Sequence, residues 1–232
     1  GSNAALLASG MLLREPETAD ALLNSQSGLV SHLERDLLND GTWFEGDNYH
    51  QFAIRGLWYS VTICDANGLH LSRQASVRFQ RGIAATFATA LPDFTFPSRK
   101  DSQYAVSLRQ WRFAELAELG FARSRDATLE SVLARCYVSD HDRRDTGRAR
   151  SCADAERNVP SSQLTRADLG WRALLHALPV LPELRVSESQ SVHLASQGFA
   201  VFRRTGGVYV GFDYGQTGAG QGHPGRLKLM LS

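Results

Sequence analysis

The sequence of 232 residues contains no long hydrophobic run. A membrane-spanning helix needs about 18 or more consecutive apolar residues, so we predict no membrane span. Cysteine is also scarce. The spacing of Cys64, Cys136 and Cys152 fits neither a metal-ligand motif nor a disulfide framework. We therefore interpret the three cysteines as buried, idle thiols.

An excess of charge of one sign is absent as well. The 25 basic and 24 acidic residues leave a net charge of +1. This balance argues against a nucleic-acid-binding protein that relies on its overall charge, although it is compatible with a local basic patch. Most of the basic residues are arginines, which bind carboxylates through paired hydrogen bonds. Anionic ligands are therefore the better expectation.

The composition is that of a chain with an ordinary packed core. Hydrophobic residues make up 43% and charged residues 21% of the sequence, and its length suits one large domain or two small ones. The first four residues, Gly1-Ser2-Asn3-Ala4, resemble the remnant of an engineered tag. There is no signal peptide in the sequence, and its localisation is left open.

Helical spacing of apolar residues runs up to about Pro182, and we predict a helical domain over residues 1–182. The expected helices cover roughly Ala5–Arg14, Pro16–Leu38, Asn48–Cys64, Leu71–Ala90, Tyr104–Leu119, Asp126–Tyr137 and a segment from Ser162 or Thr165 to His176. Gly41 is suited to end the second of these in a left-handed conformation, and Asn48 to cap the third. The proline-flanked stretch LPDFTFPSRKDS, residues 91–102, is predicted to be a loop.

Beyond residue 183 the pattern changes to that of β-strands. Two apolar runs in GFAVFRRTGGVYVGFDYG flank the turn sequence Thr205-Gly206-Gly207, and RLKLMLS alternates with a period of two. The predicted fold is therefore mainly α, built from (α/α) toroid-type helical hairpins, with an antiparallel β-sheet or sandwich portion at residues 183–232. Three or four strands leave an apolar sheet face poorly covered, so we expect the chain to be part of a longer protein.

The segment from Asp40 to Ser60 gathers polar and aromatic residues where a helix begins. Acidic residues at such a place commonly cap the helix, which would leave Glu45 in solvent and the Tyr49-His50 pair partly buried. Trp43 is costly to expose, however, and its loop is short. The loop therefore either folds over the core or lines a site that stacks on a ring, as sugar-binding sites do.

The order D-G-T-W-F-E-G-D-N-Y-H, followed by an apolar helix, resembles the heparinase II/III-like polysaccharide lyases, which include alginate and oligoalginate lyases. Two later blocks resemble the same family in the same order. LPDFTFPSRKDS is similar to a family loop, with Lys100 where Gly is common. The segment from Gly198 to Leu231 is similar to the opening of the family's β-domain, including a Gly- and His-rich run. The resemblance spans most of the chain.

This resemblance implies a lyase that cleaves a uronate-containing polysaccharide by β-elimination, with Tyr49 as catalytic acid/base. His223 of the β-portion is the expected partner base or stabiliser. The expected substrate-binding residues are Trp43, Glu45, His50, Arg99 and Lys100. His50 points about 100° away from Tyr49 on a helix, which favours a role in orienting the loop. Arg99 and Lys100 are either solvated charges or a clamp on substrate carboxylates.

The chain also departs from the family pattern. Gln221 stands where the first His of the Gly- and His-rich run is usual, and Gly225 and Arg226 replace an Asp and a Lys. The family's upstream Asn is also missing, because the only candidate is Asn3 in the tag-like start. We therefore expect no cofactor, and the sequence gives no support for a divalent metal in the β-portion. GQTGAGQGH lacks the Gly-Lys-Ser/Thr ending of a nucleotide-binding loop.

Three functions follow as hypotheses. The first is a polysaccharide lyase whose partner is an acidic polysaccharide or oligosaccharide, located in the periplasm or secreted as the resemblance implies. The second is a catalytically impaired or truncated relative that binds acidic polysaccharide without cleaving it. The third is a helical-repeat scaffold without a small ligand, although such a scaffold does not explain the Trp43-Phe44 and Tyr49-His50 pairs. None of the three involves nucleic acid.

Overall fold

A computed structural model describes residues 2–100, 102, 106–137, 164–215 and 228–231. The described chain is mainly helical, with an antiparallel sheet at its C-terminal end. Its helices are α1 (Ser2–Leu13), α2 (Pro16–Asn24), α3 (Leu29–Ser31), α4 (Asp47–Ala66), α5 (Arg73–Ala85), α6 (Trp111–Ser124), α7 (Ala127–Cys136) and α8 (Trp171–His176). A π-helical turn, His32–Asp36, follows α3, and 3-10 turns lie at Phe87–Thr89 and Arg166–Asp168. The strands are β1 (Val192–Leu194), β2 (Phe199–Arg204), β3 (Val208–Asp213) and β4 (Lys228–Leu231).

The helix predicted from Pro16 to Leu38 is interrupted in the structure. α2 ends at Asn24, and the chain turns back closely before α3. A Cβ atom on Gly28 would lie only 2.6 Å from the carbonyl oxygen of Leu23, so the turn leaves no room for a side chain there. The continuous helix was therefore a wrong prediction. Gly41, by contrast, has the predicted left-handed conformation, with φ of +83°.

Helix α4 begins without the predicted cap. Its N-cap residue is Gly46, with φ of +112°, and Asn48 lies inside the first turn. The backbone N–H of Asn48 donates instead to the hydroxyl of Ser102, at 3.2 Å. A residue of the loop at 91–102 therefore satisfies the helix start, and the Asn48 cap was a wrong prediction.

The loop predicted at 91–102 is confirmed for its described residues, whereas the helix predicted from Tyr104 begins only at Trp111. The described residues before it are extended, because Phe96 and Val106 pair through the backbone at 3.0 Å, as do Leu108 and Phe94. This segment therefore forms an isolated antiparallel β-bridge, between Thr95 and Ser107, where a helix was predicted. α5 is also shorter than predicted and ends at Ala85.

The sheet has the order β1-β2-β3-β4, and all its neighbouring strands are antiparallel. The predicted hairpin between β2 and β3 is confirmed, with Gly206 and Gly207 at φ of +91° and +82°. Alternation gives the sheet two unlike faces. The buried face carries Phe199, Val201 and Tyr209. On the outer face the large side chains Phe202, Val208, Phe212, Leu229 and Leu231 are exposed.

The buried face of the sheet is bonded to the helical part near the 3-10 turn Phe87–Thr89. The hydroxyl of Tyr209 donates to the carbonyl of Thr89 at 3.1 Å. Arg203 donates to the carbonyls of Ala88 and Ala90, both at 2.8 Å. The helices change to strands between residues 176 and 192, and these bonds hold the two portions together.

Two further expectations concern single features. Cys64 and Cys136 are buried free thiols, as predicted, and burial raises their pKa values to about 11 and about 12. Cys152 lies outside the described residues. None of the described helices is long and apolar enough to cross a membrane.

Candidate active site at the start of α4

The loop before α4 is held against α5 by a close contact between two backbones. A Cβ atom on Gly41 would lie 2.5 Å from the backbone nitrogen of Gly82, and one on Gly82 would lie 2.8 Å from the carbonyl oxygen of Gly41. Both distances are too short for any side chain. The two glycines therefore allow the loop to cross α5 at a separation that no other residue permits.

His50 fixes this loop from inside the protein. The backbone N–H of Trp43 donates to Nδ1 of His50 at 2.9 Å, and Nε2 donates to the carbonyl of Gly82 at 2.6 Å. Its side chain is fully buried, and burial lowers the pKa of His50 to about 4, against smaller opposing effects of the Gly82 hydrogen bond and of Asp47. The ring is therefore neutral at neutral pH, with both nitrogens engaged. His50 orients the loop and does not reach a ligand in this structure.

The aromatic loop is tied to the sheet by a residue that sequence reasoning missed. Gln197, in the turn between β1 and β2, donates its backbone N–H to Asp40 at 3.0 Å and its side-chain amide to the carbonyl of Trp43 at 3.1 Å. Trp43 is half-buried and donates its indole N–H to Glu45 at 2.6 Å. Nothing in the sequence near Gln197 signals this contact, which depends on how the sheet packs.

Arg99 lies buried where the loop, α4 and the sheet meet. Its Nε donates to Asp47 at 3.1 Å and its Nη1 to Asp213 at 3.4 Å. The guanidinium also stacks on the ring of Phe199, 3.8 Å from its centroid. Asp47 and Asp213 are buried too, so the three charges form a cluster closed off from solvent, in which Nη2 of Arg99 has no hydrogen-bond partner among the described residues. The predicted contact of Arg99 with substrate carboxylates is not available in this arrangement, because the side chain is 1% exposed.

Lys100 follows Arg99 in a left-handed backbone conformation, with φ of +49°. This is the position where the family resemblance expects Gly, the residue that adopts such angles most readily. The ammonium group donates to the carbonyl of Phe44 at 2.9 Å. Burial, and secondly the nearby charge of Arg99, lower the pKa of Lys100. Lys100 thus secures the aromatic loop while remaining partly accessible.

Tyr49 is the member of this group that faces outward. It lies in the first turn of α4 and is 40% exposed. Its hydroxyl forms no hydrogen bond with any residue that the structure describes. The phenol is therefore free to meet a ligand, and it stands on a helix end that His50 and Asp47 hold from beneath. Such a group can donate or accept a proton at a reacting centre.

The partner expected for Tyr49 is not placed by the structure. His223 belongs to residues 216–227, which lie outside the described part, together with Gln221, Gly225 and Arg226. The pairing of Tyr49 with His223 stays a prediction. Within the described ranges, no group of three or more His, Cys, Asp or Glu side chains is arranged to hold a metal ion.

The structure brings together five of the predicted residues at one junction: Trp43, Glu45, His50, Arg99 and Lys100, with Tyr49 at its surface. It adds Asp47, Asp213 and Gln197, which hold the junction together. Asp47 carried a weak signal as an acidic residue in the first helical turn.

The comparisons with known proteins do not assign the chain to a family. No model of a known protein family matches the chain, and no curated protein matches it significantly.

Proposed function

We propose that this chain belongs to a lyase that cleaves a uronate-containing polysaccharide by β-elimination, with Tyr49 as the acid/base. The observation that carries the proposal is an exposed phenol with no hydrogen bond to any described residue, on a helix start flanked by the aromatic loop that resembles the lyase signature. In this proposal the helices form part of an (α/α) toroid, and the sheet opens the β-domain that closes over it.

Elimination from a uronate requires three catalytic functions from the protein. A base removes the weakly acidic proton next to the carboxylate, an acid protonates the leaving oxygen, and donors stabilise the negative charge that develops on the carboxylate. A tyrosine can act as base or acid when nearby cations or hydrogen bonds adjust its ionisation. Tyr49 is the described residue in a position to do so.

The surrounding residues would fix the position of Tyr49 and orient the substrate. The neutral His50 and the cluster of Asp47, Arg99 and Asp213 keep the start of α4 in one arrangement. Trp43 offers a ring on which a sugar can stack, and Lys100 uses one of its three N–H groups on Phe44, which leaves donors for a substrate carboxylate. His223 is the proposed second proton-transfer group.

The second candidate is a protein that binds acidic polysaccharide without cleaving it. It is favoured by the replacement of the first His of the Gly- and His-rich run by Gln221, and by the missing upstream Asn. Stacking on Trp43 and attraction to Lys100 would serve binding alone equally well. The two candidates differ only in whether the phenol of Tyr49 moves a proton.

Incubation with alginate, heparan sulfate and hyaluronan separates these candidates, since each elimination creates an unsaturated uronate that absorbs in the ultraviolet. We expect one of the polymers to give a rising absorbance. Tyr49→Phe should lower the rate by at least about 100-fold, the low end of what a positioned proton-transfer group supplies. Tyr214→Phe is the matched control, because Tyr214 is also 40% exposed, but its ring lies against Phe212 on the outer face of the sheet.

The outcomes are exclusive. Binding of a polymer with no rise in absorbance for the unmodified protein would establish the binding-only candidate. A Tyr49→Phe variant with full activity would remove Tyr49 from the mechanism, and an equal loss in Tyr214→Phe would show that the effect is not specific to the site.

A further inference from the structure

A pocket lies between α4, α6 and α8. It is lined by Arg55, Trp58, Glu115, Leu116, Leu119 and Arg172. The cavity measures about 10 Å³, which is room for about one water-sized group. The pocket therefore admits a single oxygen atom of a ligand, with the rest of the molecule at its mouth.

Two buried polar groups in this pocket lack partners. Oε1 of Glu115 and the indole N–H of Trp58 are both without a hydrogen bond in the described structure. The two residues are 1% and 6% exposed. A buried donor or acceptor without a partner costs about 1–3 kcal/mol, so such groups in a native protein call for a ligand or water. Here one is an acceptor and the other a donor.

Cationic groups surround these two atoms. Arg172 donates its Nε to Oε2 of Glu115 at 3.2 Å and its Nη1 to the hydroxyl of Tyr59. Arg55 stacks on Trp111, 5.4 Å from the ring centroid, and forms no ion pair within the described ranges. Burial, and secondly the charge of Arg172, lower the pKa of Arg55. Two guanidinium groups thus face one carboxylate, and the pocket carries an excess of positive charge.

Gly170 keeps the space next to Glu115 open. Its backbone angle is ordinary, with φ of −77°, so the conformation does not require glycine. A Cβ atom there would lie 2.5 Å from Oε1 of Glu115. A side chain at this position would push the carboxylate out of its place. The glycine is therefore explained by the room it leaves around the unpaired oxygen.

We propose that this pocket binds a small hydroxycarboxylate, with a hydroxyl between Trp58 and Glu115 and a carboxylate on Arg55. A hydroxyl both accepts and donates a hydrogen bond, as the two unpaired groups require together. A carboxylate matches the guanidinium of Arg55, which lines the pocket and has no ion pair with any described residue. Arg55 and Trp58 lie three residues apart on one helix, so they are neighbours on its surface. The proposal is independent of the lyase function, because no residue of the Tyr49 site lines the pocket.

Isothermal titration calorimetry with four probes tests the ligand class. Glycolate and D-glucuronate contain both groups, acetate lacks the hydroxyl, and glucose lacks the carboxylate. We expect acetate to bind at least about 25-fold more weakly than glycolate, because it loses both hydrogen bonds of the hydroxyl, one to Trp58 and one to Glu115. Glucose should bind at least about tenfold more weakly than glucuronate for the loss of a charge-assisted one. Equal binding of glycolate and acetate, or no binding of glycolate, would overturn the proposal.

Three variants locate the ligand. Trp58→Phe keeps an aromatic ring but removes the unpaired N–H together with the five-membered part of the indole, and we expect about fivefold weaker glycolate binding. The melting temperature of the ligand-free variant should fall, because the smaller ring leaves a cavity in the core. The binding constant is therefore the deciding measurement. Gly170→Ala should weaken binding by a similar factor while all the polar groups remain. Tyr214→Phe, on the outer face of the sheet, should leave glycolate binding unchanged.

Each alternative outcome is decisive. A pocket that holds only water predicts that Trp58→Phe leaves glycolate binding unaltered, which would refute the inference. Weaker glycolate binding in Trp43→Phe but not in Trp58→Phe would place the ligand at the Tyr49 site and refute it too. Neither result bears on whether Tyr49 carries out elimination, which the absorbance assay decides separately.

Discussion

Helix α4 contributes to two charge clusters with opposite arrangements, one at its first residue and one near its middle. At its first residue, Asp47 joins Asp213 in enclosing a single cation, Arg99. Farther along the same helix, two cations, Arg55 and Arg172, face the single carboxylate of Glu115. The first cluster is closed on all sides by packing, whereas the second opens into a pocket.

The difference shows how buried charge can serve two purposes. The closed cluster has its acidic groups in direct contact with the cation, and it links the loop, the helix and the sheet. Removing a member would leave a buried charge uncompensated, so such a cluster specifies one arrangement. The open cluster keeps one cation and one carboxylate oxygen unpaired, which favours a partner from solution. The closed cluster therefore holds the site near Tyr49, and the open one is suited to binding.

The largest expected effect comes from opening the closed cluster. Arg99→Met leaves two carboxylates buried together, and we expect a loss of about 3–5 kcal/mol in the free energy of unfolding. For a chain of this length that corresponds to about 10 °C in melting temperature. The measurement is urea unfolding, with calorimetry as a check.

Two controls make this comparison sharp. Arg123→Met removes a pair with Asp65 whose side chains are 31% and 49% exposed, and it should cost no more than about 1 kcal/mol. Arg55→Met removes a cation that repels Arg172 and forms no ion pair with the part of the chain that the structure describes, so its cost should also stay within about 1 kcal/mol. If Arg55→Met proved as destabilising as Arg99→Met, the distinction between closed and open clusters would fail.

A smaller effect is expected from the pH dependence of the free energy of unfolding that His50 causes. Its pKa is lowered to about 4 in the folded protein, from about 6.5 in the unfolded chain. The unfolded state therefore binds the proton first, and the stability present above pH 6.5 should fall by about 3 kcal/mol as the pH drops to 4.

The measurement is unfolding by urea across that pH range, compared with His50→Gln. The variant should be less stable at neutral pH, because two hydrogen bonds change, but its decline with acid should be shallower by the amount given. His70→Gln is the matched control, since His70 is exposed and should leave the slope unaltered. Parallel pH profiles for His50→Gln and the unmodified protein would show that the ring is not held neutral.

The smallest effect concerns the backbone beside the closed cluster. Lys100→Ala and Lys100→Gly both remove the bond to Phe44, so their difference isolates the left-handed conformation. The Gly variant should be more stable than the Ala variant by about 1 kcal/mol. At Arg81, an exposed position within α5, the order should reverse by about the same amount. If Lys100→Ala were as stable as Lys100→Gly, residue 100 would not keep its positive φ in the folded protein.

Local features of the fold could be predicted from the sequence where a few adjacent residues decide them. Gly41, the hairpin at Gly206-Gly207 and the loop at 91–102 were predicted correctly because turn chemistry acts over short distances. The predicted cap at Asn48 failed because Ser102, from a distant loop, satisfies the helix start. The helix predicted from Tyr104 was wrong before Trp111 for a similar reason. The residues there are extended because they pair with Phe94 and Phe96 of the loop at 91–102.

The candidate site divides in the same way. Trp43 was singled out by the cost of exposing its ring, and Glu45 and Tyr49 by the family resemblance. The structure places Tyr49 at the surface beside the loop. The burial of Arg99 could not be predicted, because its partner Asp213 is 114 residues farther along the chain. Charged side chains are mostly exposed to solvent, so sequence alone predicts exposure unless the position of a buried partner is known. The exposure of the cations, and with it the difference between the two clusters, depends on tertiary packing alone.

The crossing of Gly41 and Gly82 has a consequence for how this protein can change over time. Gly82 is required because the backbone of Gly41 lies so near, and Gly41 is required both by the nearness of Gly82 and by its own φ of +83°. A methyl group added at either position pushes the two segments apart, after which a second one at the other position finds the gap already open. Double-mutant cycles should therefore show strong non-additivity, and the two glycines should be kept or lost as a pair among descendants of this sequence.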